Sequence, residues 1–131
     1  MTWVPESYID LINDETKAFA FVATLMKNGS PQLTPVWFNT DGKHILINTA
    51  IGRVKEKNMR RDVRVALVIV DPHNPYRYMQ IRGKVVEVTT QGAREHIDVL
   101  SKKYRGVDKY TTRANEVRVT FKILPEHITT Q

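Results

Sequence analysis

Cysteine is absent from this 131-residue chain. Its absence excludes disulfides, thiolate metal sites, cysteine-ligated iron–sulfur clusters and thiol nucleophiles. Long apolar runs are missing as well. The strictly apolar stretches, Ala18 to Ala23 and Val65 to Val70, have the length of a strand, and none can span a bilayer. The first residues, Met1 to Glu6, carry neither the basic nor the apolar region of a signal peptide. The expectation is a soluble cytoplasmic protein with no membrane partner. Serine is scarce, and Ser7, Ser30 and Ser101 lack a nucleophile-elbow context, so hydrolysis through a triad is unsupported. His44, His73, His96 and His127 are dispersed, no two at the spacing of a metal motif, and no metal site is expected. Neither a Walker A sequence nor a Rossmann glycine fingerprint occurs.

What the chain does have is positive charge, +6 in all, and unevenly placed. Arg53, Lys55, Lys57, Arg60, Arg61 and Arg64 stand close together, opposed only by Glu56 and Asp62. Such a cluster suits a polyanion: nucleic acid, a phosphorylated cofactor or an acidic tail. An ordinary solvated helix face would carry the same charge. A nucleic-acid surface would interleave aromatic stacking platforms with the basic residues. Between Arg53 and Arg64 there are none, so nucleic acid ranks last among the partners.

The pattern of apolar residues predicts six strands and three helices. Pro5 to Ile12 reads as a short helix with proline early. Ala18 to Met26 reads as a buried strand, followed by a turn at Asn28-Gly29. Gln32 to Asn39 returns as the second strand, and after Asp41-Gly42 His44 to Thr49 is the third. Arg53 to Arg61 is a helix, and Val63 to Val70, almost continuously apolar, is a central strand. Asp71 to Pro75 reads as a loop and Tyr78 to Thr89 as a long strand, with Gly83 at a bulge or close approach. From Gln91 to Tyr104, Ala93, Ile97, Leu100 and Tyr104 recur at helical spacing. Finally Asn115 to Leu124 alternates Val117, Val119, Phe121 and Ile123 against Arg118, Thr120 and Lys122, the pattern of a half-exposed strand. Strands joined mostly by hairpins, without regular alternation with helices, predict one mainly β domain over residues 1–131, a six-stranded antiparallel barrel.

The segment Thr49 to Asp62 carries the chemistry. A strand ends in Thr49, turns at Gly52, and enters a helix with Arg53 and Lys55 in its first turn. Helix starts leave amides unpaired and partly positive, so phosphate binds there. Basic residues at that end work against the helix dipole and gain from a bound anion instead. A phosphate cradle without nucleophile, metal or acid–base pair points to a cofactor that performs the chemistry itself, as flavins and deazaflavins do. Thr34 to Phe38 suits the place beneath such a ring, because Pro35 removes a ladder donor and marks an edge or bulge. Trp37 and Phe38 would equally serve as core aromatics.

Taken in order, Gln32-Leu33-Thr34-Pro35-Val36-Trp37-Phe38, Ile47-Asn48-Thr49, Gly52-Arg53-Val54-Lys55 with Asn58, and Asp62-x-Arg64-Val65-Ala66-Leu67 resemble the split β-barrel flavin and deazaflavin oxidoreductases. These are relatives of pyridoxamine 5′-phosphate oxidase. Asp71-Pro72-x-x-Pro75-Tyr76-Arg77-Tyr78 and Ile81-Arg82-Gly83-Lys84-Val85 fit too, so the likeness runs from about Ala18 to Phe121. It does not extend to that enzyme's substrate-binding C-terminal end, and vitamin B6 oxidation is not implied. The Gly52-Arg53-x-Lys55-x-x-Asn58 form is similar to the branch that uses coenzyme F-420, an 8-hydroxy-5-deazaflavin with a phosphate and an oligoglutamate tail. The resemblance implies a Greek-key split barrel, a homodimer with cofactors between the subunits, and hydride transfer from reduced F-420 to a small unsaturated substrate. It places Arg53, Lys55 and Asn58 on the phosphate, Thr49 beside it, Pro35, Val36 and Trp37 along the ring, and Tyr76 and Tyr78 approaching from the partner. Lys57, Arg60, Arg61 and Arg64 would be spare charge for the tail. FMN shares the phosphate and nearly the same ring, so an FMN-dependent reductase or oxidase is the alternative, as is a non-catalytic flavin or deazaflavin binder. The substrate pocket would draw on Asp71 to Tyr78 and Arg105 to Arg113, and no proton donor is identified.

Overall fold

The structure, a computed structural model, describes residues 3–131; Met1 and Thr2 of the N-terminal segment lie outside the described residues. Seven strands and two α-helices follow two short 3₁₀ turns, Glu6–Ile12 and Asp14–Thr16. The strands are β1 (Ala20–Leu25), β2 (Pro31–Val36), β3 (Phe38–Thr40), β4 (Ile45–Ala50), β5 (Arg64–Asp71), β6 (Asn74–Thr89) and β7 (Arg118–Thr130). Helix α1 (Val54–Arg61) joins β4 to β5, and α2 (Ala93–Arg105) follows β6. All pairings are antiparallel, in the order β2-β1-β5-β6-β7-β4-β3.

That order dictates the shape. β2 and β3 are separated in sequence by Trp37 alone, yet they occupy opposite edges of the sheet. The sheet must therefore curl until its edges meet at this residue, giving a half-open barrel. The single strand expected over Gln32 to Asn39 is thus two strands, and the barrel has seven rather than six. The split has a plain cause: up to Val36 the chain pairs with β1, and from Phe38 it pairs with β4.

Inside the curl, alternate residues of the strands make one core. Val22, Phe38, Ile45, Ile47, Ile69, Met79, Ile81, Val119, Phe121 and Ile123 are fully buried, capped by Leu11 and Met59. Alternation of buried and half-exposed positions along β1, β4 and β5 is what places these side chains on one face. The Asn28-Gly29 turn uses positive φ only at Gly29 (φ 87°), closed by Gly29 N–H donating to the Met26 carbonyl at 2.8 Å.

Two boundaries differ from the expectations, and one expected helix takes the 3₁₀ form. The short helix expected over Pro5 to Ile12 is present, as a 3₁₀ helix over Glu6–Ile12. The segment expected as a loop over Asp71 to Pro75 is a tight hairpin, with Asp71 paired to Asn74. β7 continues past Leu124 to Thr130, because a register shift between Arg82 and Gly83 sets Pro125 opposite Gly83, where its missing N–H is tolerated. A methyl group added at Gly83 would lie 2.3 Å from the Leu124 carbonyl oxygen, so this is the close approach that the lone glycine signals.

Candidate functional site

The chain leaves β4 at Ala50, turns through Ile51 and Gly52 (φ 100°), and enters α1 with Arg53 at the cap position. Arg53 offers no side-chain cap, so the first-turn amides of Val54, Lys55 and Glu56 have no partner within the helix. The Gly52 amide is already taken: it donates to the buried Glu56 carboxylate at 2.8 Å, and Arg60 Nε donates to the same group.

Beside this turn lies a cleft of about 280 Å³. It gathers Pro35, Val36 and Trp37 from the β2 edge, Asn48 and Thr49 from β4, Arg53 and Lys55 from the turn, and Arg118 from β7. Phe19, Ile97 and Tyr110 complete it. A larger cleft along α2, of about 480 Å³, is lined by Asp14, Glu15, Asp98, Lys102, Lys103 and Asp108 and contains none of the residues expected to hold the cofactor.

The smaller cleft has two chemically distinct ends. At one, Lys55 is half-buried, and its ammonium pKa is lowered by burial and then by the charges of Arg53 and Arg118. Among the described residues it has no carboxylate partner. Arg53 and Arg118 share one carboxylate, Glu116, at 3.3 and 2.5 Å. Burial raises the Glu116 pKa, but the Arg113 amide and Arg118 outweigh it and leave the acid below its usual range. Three cations thus face one carboxylate. Thr49 lines the same cleft, its hydroxyl buried and without a hydrogen-bond partner among the described residues. A buried orphan hydroxyl costs free energy unless a ligand bonds it.

At the other end are aromatic rings. Trp37 stacks on Tyr104 at 5.4 Å and 10°, and Tyr104 stacks on Phe19 at 5.3 Å. Tyr110 stands at 84° to Trp37 with centroids 6.0 Å apart. The break in the strand at Trp37 is held from α2. Lys103 Nζ donates to the Phe38 carbonyl at 2.7 Å, the Phe38 N–H donates to the Tyr104 oxygen at 3.3 Å, and the Tyr104 hydroxyl donates to the Ala18 carbonyl at 2.7 Å. Burial pushes the Tyr104 phenol pKa up and the Lys103 ammonium pKa down.

A buried polar network holds Arg118 in place. Its Nε donates to Asn48 Oδ1 at 2.8 Å; Asn48 Nδ2 donates to the Ala93 carbonyl at 2.8 Å and lies 3.1 Å from His96 Nδ1. His96 Nε2 faces Asn39 Oδ1 at 2.8 Å. An amide donor at Nδ1 and an amide oxygen at Nε2 fit one neutral tautomer, protonated on Nε2. Burial, then the charge of Arg118, pushes the His96 pKa down to about 4.

Of the residues expected at a site, the cleft brings together Pro35, Val36, Trp37, Thr49, Arg53 and Lys55. Asn58 is elsewhere: it is buried, with Nδ2 donating to Thr24 Oγ1 at 3.0 Å and to Met26 Sδ at 3.3 Å, and it ties α1 to β1. Tyr76, 82% exposed, and Tyr78 lie on β6 and are not among the lining residues. The Arg105 to Arg113 segment contributes Tyr110. Asn48 and Arg118 were not expected. Arg118 stands on the face of β7 that alternation assigns to solvent, yet it is only 6% exposed and Thr120 only 5%, because α2 packs over that face.

Comparison with known proteins bears on the family and the fold. The family model described as pyridoxamine 5′-phosphate oxidase matches residues 10–131. The chain is similar to a solved F-420 reductase, with 29% identity, a TM-score of 0.83, and coverage of 96% of this chain and 98% of that one. A putative pyridoxamine 5′-phosphate oxidase from Listeria innocua shares the fold at 16% identity, a TM-score of 0.72 and 95% coverage of both chains. So does a conserved hypothetical protein from Mycobacterium tuberculosis, at 22% identity, a TM-score of 0.73, and coverage of 97% and 84%. With the curled antiparallel sheet, the cationic turn after β4 and a family match over nearly its whole length, the chain belongs to the pyridoxamine 5′-phosphate oxidase family.

Proposed function

We propose that this protein is an oxidoreductase that holds reduced coenzyme F-420 in the cleft and delivers hydride to a small unsaturated substrate. The observation that carries the reading is the cationic end of the cleft, where Arg53, Lys55 and Arg118 have one carboxylate, Glu116, between them and the buried, unpartnered Thr49 hydroxyl belongs to the same lining. Arg53, Lys55 and Thr49 would hold the phosphate, with the free amides of Val54 and Lys55 behind them. The outward edge of β2 at Pro35 and Val36 and the ring of Trp37 would line the deazaflavin. The likeness to an F-420 reductase supports that cofactor over FMN. When bound, a deazaflavin supplies the hydride chemistry itself. The protein binds, orients and excludes water. In this reading it works as a cytoplasmic homodimer, and Tyr76 and Tyr78 reach the neighbouring subunit's cleft.

The test is a parallel fluorescence or calorimetric titration of the protein with F-420 and with FMN. Tight F-420 binding with weak FMN binding is expected. The reverse moves the protein to the flavin branch, and binding of neither overturns the cradle.

A further inference from the structure

Tyr110 is the one residue of the long α2–β7 connection that lines the cleft, and it stands where the two ends meet. Its ring is perpendicular to Trp37 at 6.0 Å, and the Arg118 guanidinium lies over it at 5.2 Å. A ligand with its phosphate at Arg53 and Lys55 and its ring at Trp37 must cross this position. Rings meeting at 84° form a corner: a planar conjugated system laid flat on one meets the other edge to face, which is a favoured geometry for aromatic pairs.

The position of Tyr110 is also fixed from outside its own loop. Its backbone N–H donates to Asp98 Oδ1 at 2.8 Å, and its carbonyl accepts from Arg94 Nη2 at 2.9 Å. Arg94 and Asp98 are themselves paired across one turn of α2 at 2.5 Å, and Lys109 stands 3.7 Å from the same carboxylate. Both backbone groups of Tyr110 are therefore committed to one helix. An exposed connection that served only to link α2 to β7 would not need such a latch, and its side chain would not need to sit in the cleft.

We infer that Tyr110 is a specificity-determining residue that selects planar conjugated ligands over other phosphates, by forming with Trp37 an aromatic corner held against α2. This rests on the flavin or deazaflavin reading of the cleft and deepens it. The cations answer to any phosphate. The corner answers only to a ring attached to one.

The experiment compares wild type, Tyr110→Ala and Tyr110→Phe for binding of F-420, FMN and inorganic pyrophosphate by calorimetry, with thermal melting to verify folding. Tyr110→Ala is expected to lose about tenfold in affinity for the ring-bearing ligand that wild type prefers. Its affinity for pyrophosphate should be unchanged, and Tyr110→Phe should match wild type for both. If Tyr110→Ala binds the ring-bearing ligand as wild type does, or loses both ligands equally while still folded, the inference fails and the cofactor reading stands. If wild type binds neither F-420 nor FMN, the cofactor reading fails and takes this inference with it.

Discussion

Protonation of His96 should destabilise this protein at mildly acid pH. The imidazole is packed among Asn48, Thr120, Asn39 and the Ala93 turn, and burial with the nearby Arg118 lowers its pKa from 6.5 to about 4. A folded pKa below the unfolded one means that the unfolded chain binds more protons between these values. The stabilisation from neutral His96 is therefore complete above about pH 6.5 and declines as pH falls toward about 4. At about pH 5 the loss from this one group is about 2 kcal/mol, since each tenfold difference in proton affinity between the two states corresponds to about 1.4 kcal/mol. The assay is urea unfolding at about pH 7.5 and about pH 5, on wild type and on His96→Gln, which cannot titrate. Wild type should lose about 2 kcal/mol more than the variant across this interval. Equal losses in the two proteins would refute the reasoning, whatever the variant's absolute stability.

Removing the cradle's cations should act on binding: Arg53→Ala and Lys55→Ala should each weaken F-420 affinity by about tenfold or more, the scale of a charge-assisted hydrogen bond, and wild-type Kd values in both would sink the phosphate assignment. Asn58→Ala should do the opposite, lowering unfolding free energy by roughly 0.5–1.5 kcal/mol through the hydrogen bond lost to the buried Thr24 hydroxyl, which keeps Gln32 as its other partner, while F-420 Kd in the folded protein stays put; a large Kd change would return Asn58 to the site. Gly83→Ala drives a methyl group into the Leu124 carbonyl oxygen and should cost roughly 1–3 kcal/mol in chemical denaturation; a neutral result would mean that the β6–β7 irregularity relaxes freely.

Local signals carried most of the fold. The apolar run Val65 to Val70 announces a strand with neighbours on both sides, and β5 does pair with β1 and β6. Lone Gly83 announces its close approach. What stayed hidden depends on partners distant in sequence. Nothing in Val36-Trp37-Phe38 says that the chain changes pairing partner between two apolar residues. Arg118 reads as a solvent residue because period-two alternation shows only two faces and cannot show that a helix covers the second. Asn58 carries the right residue type at the right offset from Lys55, but on an eight-residue helix its side faces β1. In the cleft, Pro35, Val36, Trp37, Thr49, Arg53 and Lys55 were legible because they lie close together in the chain, whereas Asn48, beside Thr49, carried no signal of its own. Tyr110 and Arg118 arrive from far along the chain, and only the closed sheet delivers them.

The pairing of β4 with β7 has a temporal consequence. Asn48 and Arg118 are 70 residues apart in the chain, and Ala50 meets Arg118 across the same ladder. The β1–β2 and β3–β4 hairpins can form from a few neighbouring residues, but this ladder waits for a long loop to close and is entropically slow. A growing chain that has emerged only through α2 possesses the turn at Gly52 and yet lacks one wall of the cleft. Any ligand that needs both walls binds the finished molecule alone, and by mass action it adds RT ln(1 + [L]/Kd) to the stability of the closed sheet. For this fold, loading would serve as the last step of folding.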